Sequence, residues 1–193
     1  MASITAADLI EFEREVADLF EASQIRGPIH LSGGNEQQLI DVFKEIPRDA
    51  WIFSTWRSHY HALLHGVPRE RLMADILAGK SMFLHYPEHH FFMSSIVGGI
   101  LPIACGVAAA GAPTWCFIGD MTASIGAFAD AEKYANGHDL PITFVIENNG
   151  LSTNTLTVET WGQGWGRGLN GLTVSYTYER TYPHVGSGVY VAF

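Results

Sequence analysis

The sequence is short of charge, and nowhere does it gather positive charge. Of 193 residues only 16% are Asp, Glu, Lys or Arg, and 11 basic against 20 acidic residues give a formal net charge of −9. There is no Lys/Arg run, which argues against nucleic acid or an anionic membrane surface as partner. Cysteine is scarce as well. Cys105 and Cys116 lie within apolar runs and read as core residues in a reducing compartment, not as a disulfide framework. No apolar stretch approaches the roughly 18 residues that would span a bilayer. The N-terminus lacks the basic-then-apolar pattern of a secretion signal. A cytoplasmic protein with no membrane association is the expectation. The apolar fraction of 47% suits one folded domain over residues 1–193.

What is present is a regular alternation of elements. Thr5 and Asp8 form a capping-box pattern ahead of Leu9, Phe12, Val16, Leu19 and Phe20, which recur at helical spacing. A second amphipathic stretch runs from Glu36 to Ile46, a short strand from Trp51 to Thr55, and a helix opened by Pro68 through Leu77. Residues 94–111 are apolar and rich in small side chains, which predicts a helix able to pack backbone-close. Strands at Thr114–Ile118 and Ile142–Ile146 flank a helix at Ala127–Ala135, and Leu172–Tyr178 alternates like a further strand. Strands separated by helices indicate an α/β fold with a parallel sheet and helices on both faces. The loop Thr160–Gly171 and a last apolar run, Val189–Phe193, complete the chain.

Two stretches carry chemistry: "FIGDMTASIGAF" (117–128) and "FVIENNGLSTNT" (144–155). Each ends a buried strand in oxygen-bearing groups, Gly119-Asp120 in one and Asn148-Asn149-Gly150 in the other. Ligands of parallel α/β sheets bind at the carboxyl ends of strands. Asp120 offers an anionic oxygen, Asn149 a neutral one, and the chain just past Asn149 a carbonyl. Mg²⁺ takes few protein ligands and leaves room for phosphate oxygens, and amides opening a helix after Asp120 suit the same phosphates. Two ordinary strand-to-helix turns with Asn-Gly punctuation would leave the same pattern. On chemistry alone both readings stand.

The segment from Gly119 to Gly150 resembles the thiamine diphosphate signature, GDG…NN, and more widely the α subunits of 2-oxo acid and acetoin dehydrogenases. So do IRGPIHLSGGNEQQ (25–38), FSTWRSHYHALLHGVPRERLMADILAGKSM (53–82) and PEHHFFMSSIVGGILPIACGVAAA (87–110), in the family's order. The resemblance implies the parallel-sheet thiamine diphosphate-binding fold of the diphosphate-binding type. It implies Mg²⁺ on Asp120, Asn149 and the carbonyl of Leu151. Trp56-Arg57 stands where the family has Tyr-Arg or His-Arg, so Arg57 would hold a terminal phosphate. The backbone of Ser95, Ile96 and Val97 would line the aminopyrimidine, and Gly119, Met121 and Thr122 the diphosphate. Met121 replaces the signature's second glycine, which works if its φ is negative. Tyr176–Gly188 resembles the family's late strand and loop, which would place His184 at the loop histidine and make residues 156–193 a compacted tail.

His59 and His61 share a face only in a strand. They are expected beside the cofactor's reactive end, with core, surface or metal-ligand roles as alternatives, and His30 matches a position near the substrate channel. The resemblance thus implies an α-type subunit of a two-subunit enzyme that cleaves a 2-oxo acid or acyloin and transfers the acyl or aldehyde unit. Its partner would be a β-type subunit with the pyrimidine-binding domain and an activating glutamate, in an α₂β₂ assembly, with a lipoyl protein as acceptor. A split transketolase-like or carboligase subunit, and a catalytically silent cofactor-binding subunit, are the alternatives.

Overall fold

The computed structural model describes residues 4–166 and 171–191. Along the chain run α1 (Ala6–Glu21), α2 (Glu36–Glu45), β1 (Trp51–Ser54), α3 (His59–Leu64), α4 (Arg69–Leu77), β2 (His85–Tyr86) and β3 (Phe91–Met93). Then follow α5 (Ile100–Ala109), β4 (Thr114–Gly119), α6 (Asp120–Ala123), α7 (Gly126–Gly137), β5 (Ile142–Asn148), β6 (Leu151–Ser152), β7 (Thr155–Leu156), α8 (Thr157–Trp161) and β8 (Thr173–Thr177). They gather into two compact units. One comprises Met1–Ile46, Trp56–Met93 and Glu179–Phe193, the other Pro47–Thr55 and Ser94–Tyr178.

The second unit holds the expected parallel sheet, in the order β1-β4-β5-β8. Its central strands read TWCFIG and ITFVIEN, continuous apolar runs as a doubly covered strand requires. Phe117, Ile118, Phe144, Val145 and Ile146 are fully buried. The register pairs Gly119 with Glu147, so β4 and β5 end side by side and release Asp120 and Asn149 as neighbours. α5 packs on β1, β4 and β5, and α7 packs on α5. Residues 94–111 were expected to be one helix, but α5 starts only at Ile100, because Gly98 takes φ +74. Ahead of it Ile96 is 71% exposed. Gly106, Ala109, Ala127 and Ala131 line an open groove of about 580 Å³ between α5 and α7.

In the first unit, α1 begins with the expected reciprocal capping box between Thr5 and Asp8. It buries Leu9, Phe12, Val16 and Phe20, one stripe at helical spacing, against α2 and α3. Pro68 turns out to be the N-cap of α4 instead of its first residue, and Gly79, at φ +79, follows its end. β2 and β3 form an antiparallel pair. The tail from Glu179 folds back on the loop after Leu31. Gly33 and Gly34 have φ of +60 and +94, and a Cβ on either would overlap Thr181 or the Glu179 carbonyl. The Gly186 amide donates to Ile29 O at 2.9 Å. Val189 and Tyr190, in the last apolar run, are exposed and in no strand; Ala192 and Phe193 lie outside the described residues. So do residues 167–170 of the expected Trp/Gly loop.

Candidate functional site

In the second unit the strand ends build a compact oxygen cluster. Gly119 leaves β4 in extended conformation and Asp120 opens the short helix α6, with its carboxylate fully buried. Asp120 Oδ2 accepts a hydrogen bond from the hydroxyl of Thr157, and Oδ1 accepts one from the Asn149 amide at 3.4 Å. Burial raises the Asp120 pKa; the Thr157 hydroxyl and the amides of Asp120, Asn149 and Gly150 pull it back down. A buried carboxylate so raised is a seat for a cation, because a metal ion removes the penalty of holding the charge. Asn149 is oriented from both ends. Its Nδ2 donates to the Tyr178 hydroxyl at 2.9 Å, and its Oδ1 accepts from the Leu151 amide at 3.0 Å, a local Asx turn. Gly150 takes φ +70, which brings the chain round to Leu151.

Met121 has no positive φ, so losing the signature's second glycine costs no backbone strain here. Its sulfur accepts from Trp161 Nε1 at 3.0 Å. The residues that sequence reasoning missed are Thr157 and Tyr178, together with the contact that Trp161 makes. Each lies far along the chain from its partner, and a lone hydroxyl or indole has no periodic or motif signal.

In the first unit Arg57, 8% exposed, is the centre of a polar cluster. Nη1 donates to Leu31 O at 2.6 Å; Nη2 donates to His184 O at 3.1 Å and lies 3.3 Å from His184 Nδ1. His184 stands edge-on to His30, with centroids 4.8 Å apart, and Trp56 flanks both rings at 5.9 and 6.2 Å. His30, Trp56, Arg57 and His184 are therefore brought together, from three separate stretches of chain. Burial lowers the His30 pKa to about 3, helped by the charge of Arg57. Burial and Arg57 also lower that of His184.

His59 and His61 lie on helix α3, not a strand, and both are fully enclosed. His59 Nε2 is 2.9 Å from Ser81 Oγ and its Nδ1 3.4 Å from Glu13 Oε1. Glu13 carries no exposure and accepts the Ser32 amide on both oxygens, at 2.8 and 3.0 Å. The Ser81–His59–Glu13 alignment has the order of a hydrolytic triad, yet Ser81 is 1% exposed, so no substrate can reach it. His61 stacks on Phe43 at 6.1 Å. Among the described residues no group of three His, Cys, Asp or Glu side chains could hold a metal ion, so the crowded histidines are not a centre of that type.

A model of the family described as dehydrogenase E1 component matches residues 5–164. The α subunit of the pyruvate dehydrogenase E1 component of Porphyra purpurea is 32% identical over 162 residues, covering 72% of this chain and 47% of that protein. The α subunit of acetoin:2,6-dichlorophenolindophenol oxidoreductase of Bacillus subtilis is 31% identical over 160 residues, covering 75% of this chain and 48% of the relative. A solved structure, a putative thiamin diphosphate-dependent enzyme from Mycobacterium smegmatis, aligns with TM-score 0.41 and 23% identity over 67% of this chain and 22% of that one. The chain belongs to the dehydrogenase E1 component family. It spans about half the length of the curated relatives it matches. The matched stretch contains Asp120, Asn149 and Leu151; His184 lies beyond it.

Proposed function

We propose that this chain supplies the α-type part of a two-subunit thiamine diphosphate-dependent enzyme that cleaves a 2-oxo acid, or an acyloin, and passes the acyl or aldehyde unit to an acceptor. The observation that carries the reading is the buried Asp120 carboxylate set beside Asn149 at two parallel strand ends, within a family match over residues 5–164. The donor set fits Mg²⁺: one carboxylate, one amide oxygen on a side chain held by Tyr178, and the Leu151 carbonyl, all hard oxygens and few in number, as Mg²⁺ shared with phosphate requires. Bound thiamine diphosphate supplies an electron sink for the carbanion left when the bond beside a carbonyl breaks.

This chain's residues bind and orient. Asp120 and Asn149 would hold Mg²⁺, and Thr157 fixes the rotamer of Asp120 by occupying Oδ2. The amides of Met121 and Thr122 would meet diphosphate oxygens, and the backbone of Ser95, Ile96 and Val97 the aminopyrimidine. In the first unit Arg57 is the phosphate ligand, with His184 and His30 as its polar neighbours. The partner is a β-type subunit carrying the pyrimidine-binding domain and its glutamate, with a lipoyl protein as acceptor and the cytoplasm as compartment.

The test is calorimetric titration of magnesium thiamine diphosphate into the chain copurified with its partner. Removing one member of a buried charged contact costs about 3–5 kcal/mol, so Asp120→Ala should weaken binding by roughly 100-fold or more. Unchanged affinity in that variant would remove the assignment.

A further inference from the structure

In the second unit, Asp120 and Asn149 are each tied down by a hydroxyl group from a later segment of the chain. Thr157, the first residue of α8, donates to Asp120 Oδ2, and the Tyr178 hydroxyl, just past the end of β8, accepts from Asn149 Nδ2 at 2.9 Å. A backbone amide completes each tether: that of Asn149 donates to Asp120 Oδ1 at 3.4 Å, and that of Leu151 to Asn149 Oδ1 at 3.0 Å. Amide hydrogens only donate, so the Leu151 contact marks the oxygen end of Asn149, and the phenol oxygen takes the nitrogen end. Neither the carboxylate nor the side-chain amide can turn without breaking a hydrogen bond.

Tyr178 is itself held firmly. It is 8% exposed, its amide donates to Asn148 O at 3.0 Å, and its ring lies 5.9 Å from that of Tyr176. Tyr176 stands opposite Glu147 in the register of β5 and β8, and its hydroxyl donates to the buried Glu147 carboxylate at 2.5 Å. The third oxygen, the Leu151 carbonyl, belongs to β6, where Leu151 pairs with Leu156 of β7. Such rigidity separates hard cations. Mg²⁺ demands near-octahedral oxygens at about 2.0–2.1 Å, whereas Ca²⁺ takes about 6–8 oxygens at about 2.3–2.6 Å in adaptable arrangements.

We propose that Thr157 and Tyr178 are positioning residues that set cation specificity: by holding Asp120 and Asn149 in place, their hydroxyls make the site select Mg²⁺ over Ca²⁺. Neither hydroxyl has to touch the ion. An ion with one permitted geometry gains from ligands that are already placed, and an adaptable ion gains little. Removing a group that orients a metal ligand lowers metal affinity by about 10–100-fold, and here that loss falls on the ion that cannot adjust. The inference rests on reading Asp120 and Asn149 as cation ligands and adds what chooses the cation.

Tyr178→Phe removes one hydroxyl and keeps the ring beside Tyr176; Thr157→Val, of nearly the same shape, removes the other. Mn²⁺ is the probe, followed by EPR and displaced by Mg²⁺ or by Ca²⁺ from the chain together with any subunits that accompany it in purification. Thiamine diphosphate is held at one concentration, so its own preference among the ions cancels between wild type and variant. Tyr178→Phe weakens Mg²⁺ about tenfold and Ca²⁺ by less than about threefold, and Thr157→Val moves the ratio the same way. A role in folding alone would lower both affinities by one factor. An unchanged Mg²⁺/Ca²⁺ ratio in either variant, with Asp120→Ala abolishing binding, would overturn the proposal and leave the cation site standing. Equal Mn²⁺ binding by wild type and Asp120→Ala would remove the cation site, and the proposal with it.

Discussion

Glu13→Gln is the substitution that most directly probes how the first unit holds its functional loop. The wild-type carboxylate is fully buried, accepts the Ser32 amide on both oxygens, and lies 3.4 Å from His59 Nδ1. A hydrogen bond to a charged acceptor contributes about 1.5–3 kcal/mol against about 1 for a neutral one. Glutamine keeps the shape and one acceptor, so the loss should be about 1–2 kcal/mol. Alanine strands the Ser32 amide and leaves a cavity, for a loss of about 3–5 kcal/mol. Urea unfolding reads both, and with an m-value of about 2 kcal/mol/M the glutamine midpoint should fall by about 0.5–1 M. Glu15→Gln serves as the control. Its carboxylate pairs with Arg69 at 48% and 40% side-chain exposure, and should cost under about 0.5 kcal/mol. A Glu13→Gln midpoint within error of wild type would refute the reasoning.

Two further outcomes follow from other positions. Burial raises the Asp120 pKa, so the folded state binds its proton more tightly than the unfolded state does, and stability contributed there falls as pH rises above the unfolded value near 3.8. In chelator at neutral pH, Asp120→Asn should therefore raise the Tm, the gain should vanish in acid, and a lower Tm at pH 7 would contradict it. Gly34→Ala places a Cβ against the Glu179 carbonyl at φ +94 and should cost more than about 2 kcal/mol, measurable by thermal unfolding; a neutral result would mean the tail does not pack on this loop.

Much of the second unit was legible because its pattern is local. TWCFIG and ITFVIEN are apolar without interruption, and the change from apolar side chains to Gly119-Asp120 and Asn148-Asn149 marks where each strand ends. The capping box at Thr5 was legible for the same reason. The long apolar run before α5 misled, since hydrophobicity continues through Ser94–Gly99 while the backbone turns at Gly98. His59 and His61 were judged by spacing, and α3 is too short for periodicity to reveal. Thr157, Tyr178 and Glu13 were invisible because what matters about each is a partner 37, 29 or 19 residues away. Such contacts are set by topology, which a single strand of text does not display.

The segment from Leu151 to Trp161 is tied to α6 twice, by Thr157 on Asp120 and by Trp161 on Met121. Its two-stranded turn and five-residue helix bury little on their own, Thr157 excepted, so the segment belongs to the part of the fold that opens first. Whenever it opens, Asp120 loses the bond that fixes its rotamer. The fraction of time the segment is closed then sets a ceiling on the fraction of molecules competent to take a cation, and apparent affinity is divided by that fraction. Substitutions anywhere along 151–161 can weaken binding without touching a ligand, and amide exchange in this stretch reads out the readiness of the site.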